Sequence, residues 1–167
     1  MLRWSLVALL LAGCPHAGGD YATGGREPGL ADRGETNGRM FDFIADKPDG
    51  DDWQIRIRDD SMWVSYSDGD NVLDLGTKAL TPKEARRVWD LIDNCDLGGR
   101  KKGKQNADTG VFQLKLREPS DESAAHDEIS VFVSRETEDE DVVALTEYLQ
   151  KLISRYHPKY RKERADF

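Results

Sequence analysis

The sequence predicts an α+β domain, a two-layer sandwich in which an antiparallel sheet of about five strands is covered on one face by two helices. Three observations lead there. Short runs alternate apolar and polar residues with period two, Trp53-Gln54-Ile55-Arg56-Ile57-Arg58 being the clearest. Two longer segments, each introduced by a helix-capping sequence, carry apolar residues at helical spacing. The order hairpin then helix occurs twice, and Phe112-Gln113-Leu114-Lys115-Leu116-Arg117 matches the first strand position by position in chemical type. At 167 residues the chain has room for one domain with appendages. With 38% hydrophobic and 34% charged residues it is neither wholly disordered nor a membrane bundle. Its net charge of -8 argues against non-specific nucleic-acid binding.

The chain begins Met1-Leu2-Arg3, a short basic stretch, followed by a run from Trp4 to Leu11 that is apolar apart from Ser5. That run is far below the ~18 residues needed to span a bilayer and reads as the core of an export signal. Leu11-Ala12-Gly13-Cys14 comes next. These fourteen residues resemble the lipobox signal of bacterial lipoproteins. The resemblance implies a signal peptide over 1–13, cleavage after Gly13, and diacylglycerol, often with a further N-acyl chain such as palmitate, on Cys14. Two or three acyl chains make a stable membrane anchor where one does not. The expected location is the bacterial cell envelope, with the domain facing the periplasm or the exterior. Residues 15–39 hold seven glycines and two prolines and read as a flexible tether. Its r.m.s. span would be roughly 25–30 Å.

The globular domain is expected over residues 40–157, with a charged, fraying tail over 158–167. Residues 40–44 suggest an edge strand. Trp53 to Arg58 and a run with Met62, Val64 and Tyr66 alternating with Trp63, Ser65 and Ser67 form a hairpin about Asp59-Asp60. Residues 72–75 continue the sheet after Asp68-Gly69. Thr81-Pro82-Lys83-Glu84 is a capping box with proline at the first helical position. Ala85, Val88, Trp89, Ile92 and Cys95 then mark the buried stripe of a helix. Residues 100–108 are polar and basic and read as a mobile loop. Residues 111–117 and 129–134 form the second hairpin. Thr137-Glu138-Asp139-Glu140 reads as a second capping box, opening a helix that buries Val142, Leu145, Leu149, Leu152 and Ile153. This order of elements is similar to that of uncharacterised domains carried by bacterial lipoproteins, a resemblance that implies no activity.

Catalytic and metal signatures do not survive inspection. Asp108-Thr109-Gly110 spells the aspartic-protease triplet but lacks apolar flanks and a second copy. His16, His126 and His157 have no partner at ligand spacing and read as solvated loop residues. Cys95 reads as a small buried hydrophobe. The acidic stretches at 49–52, 68–70 and 136–141 lack calcium-loop spacing. Nothing calls for a cofactor or a metal.

The informative surface is the sheet face opposite the helices. If Ile55, Ile57, Met62, Val64, Leu114, Leu116, Val131 and Val133 face inward, alternation sends Arg56, Arg58, Trp63, Lys115, Arg117 and Phe132 outward among serines and glutamines. That face is expected to hold four cations, two aromatics and no acid. The sequence therefore points to a lipid-anchored, non-catalytic binding or scaffolding domain. Its expected partner is another envelope protein, peptidoglycan or an anionic glycolipid. The alternative is a membrane-tethered hydrolase or enzyme inhibitor with a cleft between the loops at 100–108 and 119–126.

Overall fold

The computed structural model describes residues 38–48, 52–69, 71–104, 108–120, 126–160 and 167. The expected signal, the expected lipid site at Cys14 and nearly all of the expected tether lie outside the described residues. The elements are β1 (Met40–Asp46), β2 (Trp53–Arg58), β3 (Ser61–Asp68), β4 (Asn71–Ala79), α1 (Pro82–Asn94), β5 (Val111–Pro119), β6 (His126–Ser134) and α2 (Glu140–Tyr156). One antiparallel sheet contains six strands in the order β4-β3-β2-β1-β5-β6. The α+β sandwich expected from the sequence is therefore present, with one more strand than anticipated.

The main difference lies in β1, which is central rather than an edge strand. Phe41, Phe43 and Ala45 are fully buried. A strand hydrogen-bonded on both sides and packed beneath helices must present such an apolar face, which an edge strand need not. β1 also explains the likeness between the two halves. Met40 lies between Arg58 and Arg117, Asp42 between Arg56 and Lys115, Phe43 between Ile55 and Leu114, and Ala45 between Trp53 and Phe112. The two similar six-residue runs thus flank β1 in matching register.

The inward set is as alternation requires. Ile55, Ile57, Met62, Val64, Leu114, Leu116 and Val131 are buried, and Val133 packs against them. From the helices they meet Ala85, Val88, Trp89, Leu91 and Ile92, and Val142, Leu145, Leu149, Leu152 and Ile153. Full burial of each Leu, Ile or Phe contributes about 1.5–3 kcal/mol relative to exposure. Trp89 also donates its Nε1–H to the Asp59 carbonyl at 2.9 Å, fastening α1 to the β2–β3 turn.

The first capping box forms as expected: Thr81 Oγ1 accepts from the Glu84 amide, and Glu84 Oε2 accepts from the Thr81 amide at 3.0 Å. Glu84 does more than cap. It also pairs with Arg155 at 2.6 Å and accepts from the Tyr156 hydroxyl at 2.8 Å, joining the start of α1 to the end of α2. Burial would raise its carboxyl. Hydrogen bonds from Thr81 and Tyr156, with the Arg155 charge, outweigh that and hold it below its ordinary value.

The second cap is displaced from its expected position. Asp139, not Thr137, is the N-cap, and its carboxylate accepts from the Val142 amide at 3.1 Å. Aspartate caps as well as threonine does. Here it also receives Arg100 in a bidentate pair at 2.6 and 2.9 Å, while Thr137 Oγ1 accepts from the Asp139 amide. Arg100 Nε donates in turn to the Cys95 carbonyl. Residues 100–104 are consequently anchored rather than mobile: the Phe132 amide of β6 donates to the Lys102 carbonyl at 2.9 Å. Only glycine fits next. A Cβ on Gly103, at φ +63°, would lie 2.0 Å from the Phe132 carbonyl oxygen.

Two further expectations change at the C-terminal side. His157 is buried, not solvated, because it closes α2 with its amide bonded to the Ile153 carbonyl. Burial first, and then the Lys78 charge, hold its imidazole below its ordinary value. Beyond it, Tyr160 and Phe167 pack on an aromatic cluster rather than fraying. Phe167 lies 5.0 Å from Phe43 and 6.1 Å from Trp53, and Tyr160 lies 5.8 Å from Tyr66, between ring centroids. Large apolar rings outweigh the surrounding charge in deciding where these two residues sit.

Candidate functional site

The face turned away from the helices is ruled into rows by the strand registers. The central row reads Thr77, Trp63, Arg56, Asp42, Lys115 and Ser130 from β4 to β6. The flanking rows bring Arg58 and Arg117 to either side of Met40, and Gln54 and Gln113 to either side of Ile44, with Phe132 beyond Gln113. All six residues expected on this face are there. The expectation that it carries no acid is overturned.

Three acids reach it: Asp42 and Asp74 from strands outside the two hairpins, and Glu128 from the start of β6, ahead of the run 129–134 expected as strand. Asp42, on β1, has a buried side chain and sits between two guanidinium groups: Arg56 Nε at 2.6 Å and Arg117 Nη2 at 2.9 Å. Glu128, on β6, pairs with Arg117 at 3.0 Å and Lys115 at 3.5 Å. Hydrogen bonding from Arg117, ahead of the charges of Lys115 and Arg117, holds Glu128 below the usual carboxylate range. Asp74, on β4, accepts from Trp63 Nε1 at 2.9 Å. The cations and acids are thus interleaved because burying Asp42 without partners would be costly, and the strands beside it supply them.

The consequence is a fixed rather than a highly charged surface. Arg56 is held by Asp42 and lies over the Trp63 ring at 5.7 Å from its centroid. Trp63 is held in turn by Asp74, and Gln113 Nε2 donates to Ser130 Oγ at 3.1 Å. Arg58 alone of the four cations has no ion-pair partner among the described residues. The missed acids carry one legible signal. In Met40-Phe41-Asp42-Phe43, a period-two reading with the phenylalanines inward places Asp42 outward, but only a central β1 puts it beside Arg56 and Lys115.

The other candidate groups lie elsewhere. Burial pushes the Cys95 thiol up to about 11, which leaves it protonated and inert at neutral pH. His126 approaches the Gly38 carbonyl at 3.3 Å, on β6, whereas His157 closes α2. Among the described residues no group of three or more His, Cys, Asp or Glu is placed to hold a metal ion. No described helix is long and apolar enough to cross a membrane. No protein family, curated protein or solved structure matches the chain.

Proposed function

We propose that this chain is a lipid-anchored protein of the bacterial cell envelope whose domain is a non-catalytic binding module, presenting the open face of its sheet to a partner. The observation that supports this reading is the pre-set geometry around Asp42. Its two guanidinium partners, with the Trp63 ring fixed by Arg56 and Asp74, form a surface whose side chains are ordered before any ligand arrives. Pre-ordered side chains lose less entropy on binding. The neutralised charge favours a partner that offers planar and hydroxyl groups, such as glycan or a protein surface, over one recognised by negative charge alone. The candidate binding residues are Arg56, Arg58, Trp63, Lys115, Arg117 and Phe132, with Asp42 as their organiser.

Two experiments test it. Cys14→Ser should move the protein from the membrane fraction to uncut precursor or soluble protein, and an unchanged detergent-requiring pool would refute the anchor. For the face, Arg58→Glu leaves both Asp42 pairs and the Glu128 pairs in place. This exposed change should alter stability by no more than about 0.5 kcal/mol. Affinity capture from the envelope should then lose the partners that the unaltered protein retains. Identical capture by the variant would refute the face.

A further inference from the structure

The helix-side face of the sheet carries a row of Leu73, Tyr66, Trp53, Ala45, Phe112 and Val133, running from β4 to β6. Two rings from beyond α2 cover its middle. Tyr160 lies 5.8 Å from Tyr66 and 6.0 Å from Trp53, and Phe167 lies 6.1 Å from Trp53 and 5.0 Å from Phe43, between centroids. With these rings in place Phe43 and Trp53 are fully buried and Tyr66 nearly so. Both rings reach the sheet past one residue, His157. Its amide bonds the Ile153 carbonyl at 2.7 Å, closing α2, and its own carbonyl accepts from the Tyr160 amide at 2.8 Å. The turn that returns Tyr160 to the sheet is therefore built on the His157 backbone.

The side chain of His157 is poorly placed to hold a proton. The residue is 8% exposed, and its Nε2 is buried with no hydrogen-bond partner among the described residues. A neutral imidazole can leave one nitrogen bare, whereas an imidazolium carries two N–H donors and a charge, both of which need partners when buried. The surrounding groups supply none. On β4, Lys78 is in register with the inward-facing Met62, which puts it on the helix side, and its charge opposes a second cation at the ring. At the start of α1, Glu84 is already taken by Thr81, Arg155 and Tyr156. Of the cations nearest in sequence, Arg155 is the one paired with Glu84 and Lys159 is exposed. The C-terminal end of a helix ordinarily favours a cation. Here burial, followed by Lys78, outweighs that preference.

We infer that His157 is an acid-operated latch: protonating its ring releases the turn at 158–160 and lifts Tyr160 and Phe167 from the sheet, uncovering Tyr66, Trp53 and Phe43 beside the already exposed Leu73. The sign follows from the two states of the ring. Released into water, it titrates near its ordinary value of about 6.5. Closed, it takes up its proton less readily, so the open form binds more protons and gains population as pH falls below that value. Opening levels off once the closed form is protonated as well. Because one proton is involved, the opening constant rises by at most about tenfold per pH unit. The latch lies on the opposite side of the sheet from the Asp42 surface, so either reading stands without the other.

Amide hydrogen exchange of the isotope-labelled chain tests it, read by NMR from about pH 7.5 to about pH 5, a range in which ordinary carboxylates stay ionised. Glu84, held below its ordinary value, also stays ionised there. Protection of the Tyr160 amide, after correction for the intrinsic effect of pH, should fall severalfold across the range, while the amides of β1 keep theirs. His157→Gln cannot take up a proton and should flatten the profile. Should that variant not fold, Lys78→Gln leaves the ring in place and should shrink the fall, because the closed imidazole then accepts its proton more readily. The inference is overturned if Tyr160 protection is flat in the unaltered chain, if the fall survives in His157→Gln, or if Lys78→Gln leaves it unchanged. Loss of protection in β1 in step with Tyr160 would also overturn it, since the whole domain would then be unfolding.

Discussion

Asp42 is the residue whose removal should reveal most about the open face. Its side chain is 4% exposed, while Arg56 is 43% and Arg117 24% exposed. Asp42→Ala leaves two guanidinium groups facing a small cavity. Removing one partner of a fully buried pair costs about 3–5 kcal/mol. Here both arginines reach solvent and Arg117 keeps Glu128, so solvation recovers part of that cost and about 2 kcal/mol remains. For a domain of roughly 120 residues, this lowers the unfolding midpoint by about 6–10 °C. Thermal unfolding followed by circular dichroism measures it. Arg56→Ala should cost less in the Asp42→Ala background than alone, because the shared interaction is already gone. Nor can every cation on this face be reversed freely, since Arg56→Glu would set a second carboxylate against Asp42. A midpoint within about 2 °C of the unaltered protein for Asp42→Ala, or strict additivity with Arg56→Ala, would refute the coupling.

Other perturbations separate packing from surface. Trp89→Ala should cost about 3–5 kcal/mol, since it empties the α1 anchor and strands the Asp59 carbonyl, whereas half-buried Trp63→Ala should cost much less; denaturant midpoints compare them. Phe167→Ala should cost about 2–3 kcal/mol and raise binding of a hydrophobic dye by opening the cluster at Phe43 and Trp53, an outcome that a frayed tail would not give. Glu84 sits below its ordinary value in the folded state, so its contribution is present above the unfolded carboxylate range and is lost as pH falls through the folded value. Glu84→Gln should therefore be less stable than the unaltered protein at neutral pH, with the gap closing below about pH 4. A constant gap across that range would exclude the ionised carboxylate as its source.

Local pattern carried most of the architecture. Period two set the inward residues of β2, β3, β5 and β6, and helical spacing with Thr81-Pro82 set α1. The features that depend on strand order were not legible. Nothing in Met40-Phe41-Asp42-Phe43 distinguishes an edge from a centre until its neighbours are known, and the partners of Asp42 depend on that placement. The strap at residues 100–104 was hidden for a related reason. A run of lysines reads as solvated loop, yet its backbone bonds to β6 and its Arg100 reaches Asp139, neither of which leaves a mark on composition. In the tail, charge density concealed two aromatic anchors that only the cluster around Trp53 explains.

The central position of β1 also bears on how a tethered domain would carry load. If the proposed lipid anchor is present, a pull on it would reach the domain at Arg39, which reads as tether in the sequence and lies inside the fold. Its Nε lies 2.8 Å from Glu118 at the end of β5, its guanidinium bonds Asp93 in the last turn of α1, and it lies over the Trp89 ring at 4.9 Å. Force therefore divides at once between the sheet and the helix that covers it. The strand that begins directly after Arg39 is bonded along both sides, to β2 and β5. An edge strand attached to the same tether would peel one ladder at a time, whereas β1 must shear two together. Met40, between Arg58 and Arg117, is the first position at which both ladders engage. The open face begins at that row, so the surface proposed to bind a partner is built on a strand that is bonded along both sides where the proposed tether would pull.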